Sequence, residues 1–172
     1  MAEDFKFEDE GSPDDLFKDP LGGDETPASE NGSLEEKEVK VVNVYESREQ
    51  GGHQAAEYVV LLRDVRGRSV LILIGKFEAM AISLAHEGAS ADRPLTHDLL
   101  NNVIAKMGGT VERILIDDLW NNTYYAKIDV NYDGKQAQFD SRPSDAIALA
   151  LRAKAPIYMV EAVLERAAIQ EE

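Results

Sequence analysis

Cysteine is absent from all 172 residues. That excludes a disulfide-stapled secreted scaffold, a cysteine zinc site, a thiolate iron–sulfur cluster and a cysteine nucleophile. Long apolar runs are absent too. No stretch approaches the roughly 20 residues of a membrane-spanning helix, so no membrane partner is expected. The start, MAEDFKFEDEG, has neither a basic nor an apolar segment and does not read as a secretory signal. The Asn-X-Ser/Thr matches at Asn31 and Asn121 therefore carry little weight as glycosylation sites, and the chain reads as cytoplasmic. Positive charge is scarce: 18 Lys and Arg stand against 33 Asp and Glu, a formal net charge of −15. Such a balance argues against a generalist nucleic-acid binder of the basic kind. No Walker loop, GxGxxG, HExxH, GxSxG or zinc spacing occurs.

What is present is unevenly spread. Residues 1–38 carry 14 acids and three bases, together with Pro13, Pro20 and Pro27 and few large apolar side chains. This segment cannot bury enough surface to offset its ordering entropy and is expected to be a disordered acidic tail. It reads either as a solubilising leader or as a partner-binding arm around Asp14–Phe17. Residues 39–172 carry 19 acids and 15 bases and form the expected folded domain.

That domain alternates strand and helix signals. Val39–Glu46 is β-branched, and the apolar runs Ala56–Arg63 and Arg68–Gly75 read as a hairpin of buried strands. Lys76–His86 has helical spacing, with Phe77, Met80, Ala81 and Leu84 on one face. Thr96–Met107 is a second helix with Thr96 as its expected N-cap and Leu99, Leu100, Val103 and Ile104 as its stripe. Strands Val111–Leu119 and Thr123–Asn131 flank an Asn121-Asn122 turn, and Asp133-Gly134 is a hairpin signal leading to Gln136–Asp140. Pro143–Lys154 is a helix, Ile157–Val160 a short apolar link, and Val160–Ile169 a last helix. Three strands and two helices thus occur twice. An offset of 67 residues aligns Tyr58 with Tyr125, Gly67 with Gly134, Ala79 with Ala146, Ala81 with Ala148 and Leu84 with Leu151. The chain reads as an internally duplicated α+β domain in which Glu78 and Asp145 occupy equivalent helix starts.

The densest polar cluster is Asp140-Ser-Arg-Pro-Ser-Asp145, at a strand-to-helix junction. A helix start favours anions, Arg142 suits a phosphate, and Asp140 and Asp145 suit Mg2+ or Mn2+, parts that phosphodiester hydrolysis uses. The same residues also serve as caps and dipole partners. Arg93-Pro-Leu-Thr-His97-Asp98 adds a His–Asp pair open to the same two readings. Asp117-Asp118, Tyr124-Tyr125, and the cluster Arg63, Arg66 and Arg68 are weaker candidates for an ion, a stacked base and a phosphate backbone. His53 and His86 read as solvated.

The stretches GKFEAMAISLAHEG (75–88), RPLTHDLL (93–100), TYYAKI (123–128) and DSRPSDAIALALRAKAPIY (140–158) together resemble the bifunctional nuclease domain family, bacterial proteins that include a DNase/RNase domain. The likeness spans roughly Val39 to Ile169, leaves the acidic leader outside, and carries no expectation of an appended repair module. It implies two β3-α2 repeats forming a single barrel-like mixed sheet with flanking helices. It also implies a homodimer or higher homo-oligomer with a groove as active site, and DNA and RNA as substrates cut with little sequence preference. The matching positions are Glu78, Arg93, His97, Asp98, Asp140, Arg142, Ser144 and Asp145. On these, Asp145 and Asp140 are expected to bind metal or activate water, with Glu78 as a further metal ligand. Arg142 would clamp phosphate, His97 would act as acid or base, and Arg93, Ser144 and Asp98 would bind substrate. The expected cofactor is a divalent ion, Mg or Mn. The competing expectation is a non-catalytic oligomeric regulatory module that binds a protein or small anion in the same groove.

Overall fold

The computed structural model describes residues 35–47 and 56–169. The acidic segment up to residue 34 and His53 lie outside the described residues. The β-branched stretch and the two apolar runs build β1 (Glu36–Ser47), β2 (Glu57–Asp64) and β3 (Ser69–Ile74), an antiparallel meander that runs directly into α1 (Lys76–His86). After α2 (Thr96–Lys106) a second meander follows: β4 (Gly109–Trp120), β5 (Thr123–Tyr132) and β6 (Lys135–Ser141), running directly into α3 (Pro143–Ala153). The described residues end with β7 (Ile157–Val160), α4 (Glu161–Ala167) and β8 (Ala168–Ile169). The strand signals fall within a few residues of the observed elements, and β1 starts at Glu36. The Asp133-Gly134 signal forms its hairpin turn, with both residues at positive φ (50° and 74°), as a tight turn between right-twisted strands requires.

All eight strands form one sheet in the order β6-β5-β4-β7-β1-β2-β3-β8. Two features correct the expectation. The apolar link Ile157–Val160 is a strand, β7, at the centre of the sheet. It pairs antiparallel with β1 and parallel with β4 and so joins the two meanders. The last helix is only Glu161–Ala167, and its expected end turns into β8 against β3. The sheet is mixed, as expected, but open: β6 and β8 are its edges, and no ladder between them closes a barrel among the described residues. Curling is nevertheless evident, since the Tyr124 hydroxyl of β5 donates to the Leu71 carbonyl of β3 at 3.5 Å.

The duplication is clearest in the helices. An offset of 67 residues lays α1 onto α3 end to end. In α3, Ala146, Ile147, Ala148, Leu149 and Ala150 are all buried, because α1, α2 and the sheet surround it. A helix apolar all round is a central one. Small residues at the α1–α3 contact also turn α1 from its expected face. Ala79, Ala81 and Ile82 are buried, whereas Phe77 and Met80 are exposed. On α2 no residue is buried, and Leu99, Leu100 and Val103 point to solvent.

Two guanidinium clamps hold these layers. Arg68 donates to Asp64 Oδ2 at 2.8 Å and, through both terminal nitrogens, to Glu161 at 2.8 and 2.9 Å, fastening the β2–β3 turn to α4. Arg152 of α3 donates to Asp98 Oδ1 of α2 at 2.5 Å and to the Ala81 carbonyl of α1 at 3.1 Å. The three helices are thereby fixed around one buried side chain.

Candidate active site

Each meander reaches its helix through a single residue. Gly75 links β3 to α1, and Arg142 links β6 to α3. Both are N-cap residues with extended backbone, and they are equivalent under the 67-residue offset. Three residues on in each helix stands an acid, Glu78 or Asp145, where a carboxylate complements the helix dipole. The packing of α1 on α3 brings these first turns together.

Arg142 connects them. Its Nε donates to Asp145 Oδ2 at 2.7 Å, and its Nη2 donates to Asp145 Oδ1 at 3.1 Å and to Glu78 Oε1 at 2.8 Å. Nη1 has no protein partner among the described residues, and the side chain is 66% exposed. One guanidinium serves two carboxylates because the equivalent position is glycine. A Cβ on Gly75 would lie 2.3 Å from Glu78 Oε2, so its absence lets that carboxylate fold back toward the N-cap.

His97 completes the cluster from α2, its Nε2 lying 3.1 Å from Asp145 Oδ1. Burial alone would push the Asp145 carboxyl up, but bonds from Arg142 and His97 outweigh it and hold the group below its ordinary range. Asp145 is therefore an ionised acceptor, and Nε2 of His97 carries the shared hydrogen. In the tautomer that donates from Nε2, Nδ1 is the ring's acceptor atom. The expectation of Thr96 as N-cap is corrected here. Leu95 takes that position, and Asp98 Oδ2 accepts from the Leu95 N–H at 2.9 Å. Burial opposes ionisation of Asp98, but the Leu95 N–H and Arg152 prevail and lower its pKa. Asp98 thus holds the start of α2, and with it His97, against α3.

These groups edge a cleft of about 340 Å³ whose lining includes Glu78, His97, Arg142 and Asp145 together with the apolar Phe77 and Met80. The remaining expected residues lie elsewhere. Asp140 is on the strand face opposite Phe139 and Ser141 and pairs with Lys127 at 2.8 Å. Ser144 is buried, and Arg93 is exposed without an ion-pair partner among the described residues. Asp117 sits at a bulge in β4 with one oxygen buried and unpartnered, and burial raises its pKa against the pull of Lys127. In the arginine cluster, Arg68 is consumed by its clamp and Arg63 donates to Ser69 Oγ at 2.9 Å.

The donor set does not make a ready divalent-ion site. Arg142 already bridges Glu78 and Asp145, Asp140 faces Lys127, and no group of three His, Asp or Glu side chains able to hold a metal occurs among the described residues. The two residues that sequence reasoning missed are Gly75 and Arg152. The offset that paired Glu78 with Asp145 also pairs Gly75 with Arg142 and was the available signal for the first.

No helix among the described residues is long and apolar enough to cross a membrane. The family model of the bifunctional nuclease domain matches residues 60–172. An uncharacterized protein of Mycobacterium tuberculosis is 41% identical over 133 residues, covering 77% of this chain and 76% of its own. Bifunctional nuclease 1 of Arabidopsis thaliana is 28% identical over 116 residues, and Bifunctional nuclease 1 of Oryza sativa subsp. japonica 27% over 108. These cover 63% and 60% of this chain but 36% and 33% of the plant proteins, so the chain spans about a third of those relatives' length. Motifs, duplicated fold and family match agree: this chain belongs to the bifunctional nuclease domain family.

Proposed function

We propose that the protein hydrolyses phosphodiester bonds of DNA and RNA at the junction of α1 and α3. The observation that carries the reading is the convergence of Arg142 and Asp145, from the start of α3 in the second repeat, with His97, from α2 in the first, at one cleft. Nη1 of Arg142, exposed and pre-set by two carboxylates, binds a phosphate oxygen and stabilises the charge that builds as water adds to phosphorus. His97 takes a proton from that water at Nδ1, and Asp145 holds the ring and stabilises the imidazolium. The bond from phosphorus to the leaving oxygen breaks, that oxygen takes a proton from solvent, and His97 releases its own. A phosphate is common to DNA and RNA. The apolar lining residues of the cleft, Phe77 and Met80 among them, read no base edge, which supports weak sequence preference.

No step here is routed through a metal. Divalent dependence, expected from the carboxylates, is measured by running the assay with EDTA and with added Mg2+ or Mn2+. A homo-oligomer is part of the proposal, supported by the solvent-facing apolar residues of α2, and light scattering measures it. The test of function is cleavage of labelled single-stranded DNA and RNA by wild type and Arg142→Ala, purified in parallel through identical steps. Cleavage by wild type and its loss in Arg142→Ala, with an unchanged circular dichroism spectrum, supports the reading. Equal cleavage by both preparations, or none by either, refutes it and leaves a non-catalytic anion- or protein-binding module.

A further inference from the structure

Phe77 is 81% exposed, on the same helix turn as Glu78, and shares the cleft with Arg142. Met80, one turn on, is also exposed and lines the same cleft. Their spacing places both on one face of α1, the face periodicity assigns to the core. The structure fills the core with Ala79, Ala81 and Ile82 and leaves a phenyl ring standing in water beside the one guanidinium of the cleft.

Charge limits what else can bind here. Arg68, Arg113, Arg152 and Lys127 are all committed to carboxylates. Arg142 is the one Lys or Arg lining the cleft, so the cleft itself offers no long phosphate track, the usual source of duplex affinity. A cleft of about 340 Å³ is at the small end of ligand sites and matches one nucleotide better than a double helix. In a duplex both faces of a base are stacked, and only an unpaired base can lie on an aromatic ring.

Resting on the phosphodiester reading above, we propose that the substrate is single-stranded nucleic acid. One unpaired base stacks on Phe77, and its neighbouring phosphate meets Arg142. Stacking of this kind is sequence-tolerant, because every base has an aromatic face. It supplies the affinity that the sparse positive charge does not.

The test is fluorescence anisotropy with three short phosphorothioate probes of equal length: a thymidine single strand, the matching duplex, and an abasic single strand that keeps every phosphate. Wild type binds the thymidine strand more tightly than the other two. Phe77→Ala weakens that binding by about 5- to 150-fold, leaves the abasic strand unaffected, and is matched to wild type by Phe77→Trp. Because Phe77 is exposed, circular dichroism shows all variants folded. Equal binding of abasic and thymidine strands, an unchanged Phe77→Ala, or a Phe77→Ala whose only change is its oligomeric state overturns the proposal. If binding of all three probes depends on Arg142 but not on Phe77, the phosphodiester reading stands while this one falls. If wild type binds none of them, both fall.

Discussion

Replacing Arg68 with Met removes the charge of the strongest clamp in the fold and keeps most of its apolar stem. In the folded protein the Asp64 side chain is fully buried and that of Glu161 is 11% exposed, so the variant strands two carboxylates away from water. Breaking a buried ion pair from one side costs about 3–5 kcal/mol. Asp64 keeps bonds from the Arg66 and Arg68 N–H groups at 2.9 and 2.8 Å, whereas Glu161 loses both of its bonds from the Arg68 guanidinium. Most of the loss therefore arises at Glu161. Against a typical total of about 5–15 kcal/mol this is a large fraction, and it lowers Tm by about 10–20 °C. The pH dependence is diagnostic. The Arg68 bonds hold Glu161 below the ordinary carboxylate range despite burial, and for Asp64 burial opposes ionisation but the Arg68 and Arg66 bonds together outweigh it. Their contribution is present above about pH 4 and is lost as pH falls through the folded pKa values. In Arg68→Met the same acids take up protons on folding, so the difference from wild type narrows toward pH 4. Thermal melts by circular dichroism from pH 4 to 8 measure this. A variant that melts within 2–3 °C of wild type but loses nucleic-acid binding refutes the reasoning and returns Arg68 to the role of phosphate ligand.

Gly75→Ala is expected to fold, since φ −75° and ψ 161° suit alanine and the new methyl meets only the movable end of Glu78. It displaces that carboxylate from Arg142, so Tm moves by only a few degrees while oligonucleotide cleavage falls. Unaltered cleavage argues against Gly75 as a positioning residue. Lys154 caps α3 at φ 56°, a conformation costing a non-glycine residue about 1–2 kcal/mol. Lys154→Gly therefore raises stability in urea by roughly 1 kcal/mol once the added unfolded-state entropy is subtracted, and an unchanged midpoint contradicts this. Asp145 ionises below its ordinary range, so the Arg142–Asp145–His97 cluster contributes stability above about pH 4 and loses it in acid. Asp145→Asn flattens the acid limb of the wild-type pH–stability curve, and identical limbs would speak against it.

Much of this site was legible before any coordinates. The offset of 67 residues is a property of the letters, and helices of equal length with acids at equivalent positions follow from it. Asp133-Gly134 could form little other than a tight hairpin turn. Strand β7 was not legible, because four apolar residues carry no period and only tertiary pairing with β1 and β4 makes them a strand. The face of α1 was misjudged for a related reason. Periodicity favours the large residues Phe77 and Met80, while the close approach of α1 to α3 selects the small ones. Asp140 shows the limit of reading a motif as a unit. It lies two residues from Arg142, but the register of β6 on β5 sets it directly opposite Lys127, which takes its carboxylate.

The account depends on His97 and Asp145 acting as one unit beside Arg142. A double-mutant cycle of His97→Ala and Asp145→Asn on single-turnover cleavage of a labelled single strand tests this most directly. The account predicts a loss of about 100- to 10,000-fold for each single variant, with the double variant no worse than the poorer single. Losses that simply multiply, or a single variant that cleaves at the wild-type rate, would contradict it.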